Sequence, residues 1–313
     1  MISLNQLRYF VAAARAGSAT RAAQTLHISQ PSISAAIRDL EAEFGKPLFE
    51  RRQARGLGLT AFGASKLTEA RDILNRLDHL TSNTEADSAP SLLLGYFSTV
   101  GPTCVPGILA RLANDLPDIH VELCEYDLEA LSKSLKNGLV DLAISYDIGL
   151  SNEVARDVLA EFSPHAVLPP DHPLASQSEV SLFELAQHPF ILVDLPLSRD
   201  FLMVPFWQQG LSPTVVLRTG SVEMVRGMVA NGLGVSMLFT RPRHDLTYDG
   251  KPVVCLPISD GNIRQRLVVA YAAPDLLTVT GKAALTSIRD YFSAVAEAVA
   301  ASPSVIGGAK AGQ

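Results

Sequence analysis

The chain has 313 residues, 47% of them hydrophobic and 19% charged, and a formal net charge of −6. That is too long for one core of ordinary size and too apolar for a disordered chain, so two or three folded domains are expected. No apolar run approaches the roughly 18 residues of a membrane span, and the N-terminus lacks a signal peptide's order of basic, apolar and small residues. Cys104, Cys124 and Cys255 are odd in number and far apart. A cytoplasmic protein with reduced thiols and no membrane partner is therefore expected.

Residues 18 to 45 read as two short amphipathic helices joined by a polar turn. Ser18 is a good N-cap for the first, which would bury Ala22, Ala23 and Leu26. His27-Ile28-Ser29 forms the turn, and the second helix opens at Gln30-Pro31, where proline fits because a first-turn N–H has no intrahelical partner. Ile33, Ile37, Leu40 and Phe44 recur at helical spacing and turn one face inward. The outer face begins with Ser29, Gln30, Pro31, Ser32 and Ser34, with Arg38 one turn on. Short polar groups there can approach base edges and phosphates, which is the logic of a helix-turn-helix. A plain helical hairpin with solvated serines has the same spacing, but the charge distribution argues for DNA. Residues 1 to 60 carry Arg8, Arg15, Arg21, Arg38, Lys46, Arg51, Arg52 and Arg55 against Asp39, Glu41, Glu43 and Glu50, a balance of 8 − 4 = +4 on a chain of −6. A basic head on an acidic body fits a phosphate-binding module joined to a part that does not bind nucleic acid. After Gly45, Leu48 and Phe49 begin a short strand, and the segment Arg51 to Gly58 turns before Leu59-Thr60. This reads as a wing whose Arg51, Arg52 and Arg55 follow the DNA backbone or enter a minor groove; a solvated basic loop is the alternative.

Taken together, Ala22-Ala23, Ser29-Gln30-Pro31, Ser34, Leu40-Glu41, Gly45, Pro47-Leu48-Phe49, Arg51, Leu59-Thr60 and Gly63 resemble the LysR-type transcriptional regulator family. The dense likeness covers about the first fifth of the chain, with sparser echoes in PPDHPLA at 169–175 and VRGMVANGLGVSMLF at 225–239. Ala35 and Phe62 depart from the pattern, and Ala35 removes a base contact that a longer polar residue would make.

From Thr60 to about Asp87, Leu67, Ala70, Leu74, Leu77 and Thr81 recur at alternating three- and four-residue steps, a coiled-coil seam flanked by Arg71, Asp72, Arg76 and Asp78. A linker helix over 61–90 that pairs with a second copy suits a homodimer on a partly palindromic operator in double-stranded DNA; docking on its own chain is the alternative. Residues 82–91, SNTEADSAPS, lack periodicity and form a hinge. Beyond Ser91, apolar runs at 92, 119, 140, 165, 190, 214, 234, 253 and 267 alternate with helical patterns, an α/β arrangement with two sheets. The resemblance implies a winged helix-turn-helix domain over 1–60 and an effector domain over 91–302 of two α/β lobes, periplasmic-binding-protein-like, joined by two crossover strands. Lobe I would combine 91–163 with 268–300, lobe II would span 164–267, and 303–313 would be a tail. It also implies dimers pairing into tetramers, a small-molecule effector, and RNA polymerase as a candidate partner.

Ligands of open α/β sheets sit beyond the carboxyl ends of strands, where helix N-termini offer free N–H groups. Three junctions qualify: Phe97-Ser98-Thr99, Leu197-Ser198-Arg199 and Thr219-Gly220-Ser221. The serines could cap their own helices or donate to a bound oxyanion, Arg199 could pair with a carboxylate or stand in solvent, and Tyr146 could form a wall. Few acidic groups stand near apart from Asp147 and Asp200, so the expected effector is a small organic anion, a carboxylate, with Phe97 and Tyr146 able to meet an aromatic ring. No G-x-S-x-G, H-E-x-x-H or G-x-x-x-x-G-K-[ST] occurs, the seven histidines are dispersed, and no cysteine pair has metal spacing. Neither an enzyme, a cofactor nor a metal is expected. Thiol-based redox sensing is the competing mode of control: Cys124 and Cys255 lie in strand patterns as core residues, whereas Cys104 stands near a helix N-terminus that could lower its pKa.

Overall fold

The computed structural model describes residues 2–52, 56–81, 90–260, 263–274 and 276–301. The head opens with α1 (Leu4–Ala16), a helix outside the segment marked by the sequence pattern, closed by a Ser3–Gln6 capping box at one end and by Gly17 at φ 58° at the other. Ser18 caps α2 (Ala19–Thr25) and Ser29 caps α3 (Gln30–Phe44), with Pro31 in its first turn as expected. Ile33, Ile37 and Leu40 of α3 pack with Leu7 and Phe10 of α1 and Ala22 and Ala23 of α2 in one core. β1 (Phe49–Arg52) and β2 (Gly56–Leu59) pair antiparallel as the wing. Arg55 lies outside the described residues, as do the side chains of Arg51 and Arg52, residues 82–89 of the expected hinge and the tail 303–313.

The helix α4 (Ala61–Thr81) departs from the expected seam. Leu67, Ala70 and Leu74 are buried in the head's own core, so the first three positions of the stripe that reads as a coiled-coil face are taken up by the same chain. A seven-residue apolar repeat only demands a partner surface and does not say which chain supplies it. Arg71, expected to flank the seam, is buried. The side chains of Asp72, Arg76, Asp78 and Thr81 lie outside the described ones.

Two lobes follow. Lobe I begins with β3 (Ser91–Phe97), α5 (Gly101–Asp115), β4 (His120–Tyr126), α6 (Leu128–Lys136), β5 (Leu142–Tyr146) and β6 (Ala155–Phe162). The chain then crosses to lobe II for β7 (His165–Leu168), α7 (Leu182–Ala186), β8 (Phe190–Val193), α8 (Ser198–Gln208), β9 (Val215–Thr219), α9 (Val222–Ala230), β10 (Ser236–Leu238) and β11 (Val254–Pro257). It returns through β12 (Gln265–Tyr271) and ends on α10 (Val279–Ala301). The lobe I sheet has the order β4-β3-β5-β12-β6, with β3 parallel to β4 and β5, and β12 antiparallel to both its neighbours. Lobe II holds the antiparallel trio β10-β7-β11 and the parallel pair β8-β9, bridged at Phe190 and Val235. β6 has no clean apolar alternation because it is an edge strand, half-buried over most of its length, and it was not among the runs read from the sequence. β12 already pairs with lobe I at Gln265, three residues ahead of the boundary expected at 268. Each lobe has its own core, and Phe162 and Leu195 pack against both. Among the described residues no helix is long and apolar enough to cross a membrane.

Head and lobe I meet at the turn after α6. Gly138 takes φ 63°, a region that favours glycine, and a Cβ there would stand 3.3 Å from the Ala64 carbonyl oxygen of α4. Leu139 packs into the head core. Arg71 donates to both carboxylate oxygens of Asp141, at 3.1 and 3.0 Å, and to the Gly138 carbonyl at 3.1 Å. The two side chains are only 8% and 10% exposed.

His165 opens β7 inside lobe II, where burial and then the neighbouring Arg241 and Arg226 push its imidazole down to about 3 from an ordinary 6.5. It stays neutral in the fold while the unfolded chain takes up a proton near 6.5. Its contribution to stability is thus fully present above that value and is lost progressively as pH falls towards 3. The melting temperature should fall between pH 6.5 and 4.5, and His165→Leu should flatten that slope in differential scanning fluorimetry. An unchanged slope would assign the acid sensitivity to other groups.

Candidate functional site

The outer face of α3 stands clear of the core. Ser29, Gln30, Pro31, Ser32 and Arg38 are exposed, while Ser34 is half-buried. Gln30 Nε2 donates to Ser34 Oγ at 2.7 Å, and the Ser29 and Ser32 hydroxyls bond to each other at 2.7 Å. These side chains crowd the N-terminal turn, where the helix dipole favours an approaching phosphate and where short polar groups can exchange one another for base edges. Phe62, a departure from the family pattern, stacks edge-on against Phe44 at 5.8 Å, with Lys46 and Lys66 poised over its ring at 5.4 and 5.7 Å. It therefore organises two cations beside the C-terminal end of α3.

The second site lies between the lobes. Thr99, before α5, and Tyr146, at the end of β5, come from lobe I; Ser198, at the start of α8, and Thr240, just beyond β10, come from lobe II; Gln265 enters at the crossover into β12. Ile148, Val193, Leu202, Val222, Leu238 and the rings of Phe201 and Phe239 complete the walls. Among the described residues, none that lines this cleft carries a charge. The cleft measures about 350 Å³ out to its open mouth, of which about 20 Å³ can take the centre of a water-sized sphere, room for about one water. The Tyr146 and Thr240 hydroxyls bond directly across the lobes. Burial drives the Tyr146 phenol well above its ordinary range, more than that hydrogen bond lowers it, so it remains a neutral hydroxyl. The Gln265 side-chain amide donates from Nε2 to the Arg266 carbonyl at 3.2 Å, leaving its buried Oε1 without a partner.

Of the eight ligand-site residues expected from the sequence, the cleft brings together Thr99, Tyr146 and Ser198. Phe97 is buried in the lobe I core and meets Tyr146 edge-on at 5.8 Å, one layer behind the cleft. The Ser98 N–H is spent on the Tyr126 carbonyl. Leu197 adopts φ 62°, a strained value for a residue with a Cβ, and its side chain lies over Gly149. Ser221 caps α9, accepting from the Met224 N–H at 3.2 Å. The largest correction is Arg199, which lies outside the cleft, 45% exposed, and pairs with Asp200 at 3.0 Å and Asp194 at 3.3 Å. A guanidinium so close to two carboxylates finds its counter-ions within its own lobe. Thr240 was open to the same strand-end rule as Thr99, whereas Gln265 begins a strand and has no local signal.

A basic helix-turn-helix head fastened to a two-lobed body with a cleft between the lobes defines a ligand-responsive regulator that binds DNA. Residues 4–64 match the family described as bacterial regulatory helix-turn-helix protein, lysR family, and residues 86–293 match the LysR substrate binding domain. The Hca operon transcriptional activator HcaR of Escherichia coli is 30% identical over 305 residues, covering 96% of this chain and 99% of its own. The hydrogen peroxide-inducible genes activator of Dickeya chrysanthemi is 31% identical over 242 residues, covering 76% and 79%. The solved structure of a putative LysR family transcriptional regulator from Pseudomonas aeruginosa superposes with a TM-score of 0.61 at 34% identity, covering 92% of this chain and 98% of that one. The chain belongs to the LysR family of transcriptional regulators, with an N-terminal DNA-binding domain and an effector-binding domain.

The cysteines bear on the mode of control. Cys104 is buried in α5, and that burial raises its thiol pKa despite an opposing hydrogen bond from Thr103, so the expected lowering by the helix N-terminus is outweighed. In lobe II, burial pushes the Cys255 thiol up to about 11. Cys124 on β4 is half-buried. A thiol that stays protonated is a poor nucleophile towards peroxide. Under non-denaturing conditions at pH 7.5, peroxide followed by mass-spectrometric thiol labelling should leave Cys104 and Cys255 reduced; sulfenic acid at either would overturn this assignment.

Proposed function

We propose that α3 and the wing read a partly palindromic operator on double-stranded DNA in the cytoplasm, as a homodimer that pairs into a tetramer, with RNA polymerase as a further contact. In this reading Ser29, Gln30, Ser32 and Ser34 address bases, and Arg38, Arg51, Arg52 and Arg55 address phosphates. With Leu67, Ala70 and Leu74 buried in the head core, dimer contacts of α4 fall to its other faces, where Ile73 is 47% exposed. The effector is a small organic acid held between the lobes, its carboxylate against the Thr99 and Ser198 hydroxyls and the starts of α5 and α8, without a guanidinium. The observation that carries this reading is the cleft itself, free of acidic side chains, walled by Phe201, Phe239 and Tyr146, and built from both lobes. An aromatic acid fits those walls, and a hydroxyl or N–H on its ring would meet the unpartnered Gln265 Oε1.

A cleft with room for about one water admits such a ligand only when the lobes part and the Tyr146–Thr240 bond opens. The effector then acts by its different affinity for the two arrangements, for which about 1 to 3 kcal/mol is typical.

Calorimetry of the full chain with a panel of hydroxybenzoates should find a binder. Ser198→Ala and Thr99→Ala should each weaken it by about 1.5 to 3 kcal/mol, the range for hydrogen bonds to a charged group, while Arg199→Ala leaves it unchanged. Loss of binding in the Arg199 variant alone would move the anion out of the cleft. On the DNA side, Gln30→Ala should cost about 1 to 3 kcal/mol on a selected operator and little on unrelated duplex, because a bidentate base contact discriminates only where the right base stands. Equal losses on both duplexes in a mobility-shift assay would exclude base reading by Gln30.

A further inference from the structure

Asp141 stands at the root of two strands at once. Its N–H donates to the Leu93 carbonyl at 2.9 Å, and its Oδ2 accepts from the Leu93 N–H at 2.8 Å, so it pins the start of β3 beside the start of β5. From there the strands run parallel in register, Leu94 beside Leu142, Gly95 beside Ala143 and Tyr96 beside Ile144. Both end at the cleft. β3 leads to Thr99, and β5 finishes on Tyr146, about 16 Å from its root at the usual rise of a strand. Nothing along this path is slack. Every residue of β5 is buried, and Gly95 is packed so closely that a Cβ would lie 2.8 Å from Leu131 and 2.9 Å from Val140.

The far ends of this rigid pair reach the other two parts of the molecule. At the cleft, Tyr146 is bonded to Thr240 of lobe II, so parting the lobes acts on the end of β5. At the root, Asp141 is gripped by the fork of Arg71 on α4, and the same guanidinium holds the Gly138 carbonyl. On either side of Arg71 along α4, Leu67, Ala70 and Leu74 are locked into the core that carries α3. A shift of the 138–141 turn is therefore passed to the helix that positions the DNA-reading surface.

We propose that the Arg71–Asp141 ion pair is the joint through which the effector cleft and the DNA-binding head sense each other. This rests on the reading of the cleft as the effector site, and adds the route by which that site regulates DNA binding. A buried, bidentate pair suits the task because it contributes little as glue against an apolar alternative, yet fixes one geometry and tolerates no half-made arrangement. Leu139 in the head core and Gly138 against α4 add packing contacts beside it, which lack the directional geometry of the ion pair.

Thermodynamic linkage supplies a test that needs no effector: if the cleft biases the head, DNA on the head must bias the cleft. The full chain is mixed with a duplex that it has itself selected from a random-sequence pool, and deuterium uptake is followed in α4 and in residues 142–148. In the unmodified protein, DNA should change exchange in both segments, by about twofold or more in 142–148. Arg71→Met should keep DNA affinity to within about threefold and keep the α4 response, since the head core is untouched, and lose the response of 142–148. A response of 142–148 that persists in Arg71→Met, or that is missing in the unmodified protein, overturns the proposal. Should Arg71→Met fail to fold, Arg71→Lys is read the same way, because a point charge cannot reproduce the fork, and its 142–148 response should be at most about half that of the unmodified protein. Because no effector is present, a wrong assignment of the cleft leaves these outcomes unmoved, and a wrong assignment of the joint leaves hydroxybenzoate binding unmoved.

Discussion

A single residue, Asp141, ties together two distant parts of the chain, the Leu93 backbone and the Arg71 guanidinium, through three N–H donors to its carboxylate. It caps the first strand of the body through Leu93, anchors the strand that ends in Tyr146, and neutralises a guanidinium from the linker helix. None of these partners is replaceable by water, because the side chain is 10% exposed. A buried carboxylate deprived of one partner would be left with an uncompensated desolvation cost, so the turn at 138–141, the position of α4 and the register of β3 and β5 are tied to one another. This constraint, together with the packing of Leu139 into the head core, ties the head to the body.

The cleft follows a different logic. Its walls are uncharged, its polar atoms are hydroxyls and one amide, and the fixed charges near its mouth are matched within the protein, Arg199 with Asp194 and Asp200, and Arg156 with Asp147. Such a site does not draw a ligand by long-range attraction. In the proposed reading it would discriminate by shape, by ring contacts and by whether a donor reaches Gln265, which are the terms that make a binding event sensitive to how far apart the lobes stand. Because Tyr146 and Thr240 already bond across the gap, the closed form has its own hydrogen bond, and a ligand has to better it.

α4 illustrates how one pattern serves two structural ends. Its three- and four-residue repeat was readable as a seam, and Leu67, Ala70 and Leu74 of that repeat are indeed buried. The surface that buries them, however, is α1 and the rest of the head core rather than a second chain. Phe62 is a related case: out of place by family pattern, it is explained once its contacts with Phe44, Lys46 and Lys66 are seen.

The sequence by itself was sufficient for the helix-turn-helix, down to the cap Ser18, the opening of the second helix at Gln30-Pro31 and the inward face Ile33, Ile37 and Leu40, and for the alternation of strands and helices that makes the body α/β. These features are local: a cap, a periodicity or a first-turn proline acts within a few residues of itself, and so leaves its mark in consecutive letters. The same locality made Thr99 and Ser198 legible as strand-to-helix junctions, but gave equal standing to Ser98, Ser221 and Arg199, which the fold puts to other uses. Only the tertiary structure could decide that Arg71 meets Asp141, that Tyr146 meets Thr240, or that Gln265 enters the cleft from the start of a strand. Those pairs lie 70 and 94 positions apart along the chain, and nothing in the neighbourhood of either member encodes where the other will come to rest. Their meeting is a property of how the crossovers close the two lobes and how the 138–141 turn is presented to α4, which is set by the packing of whole layers and not by any run of residues.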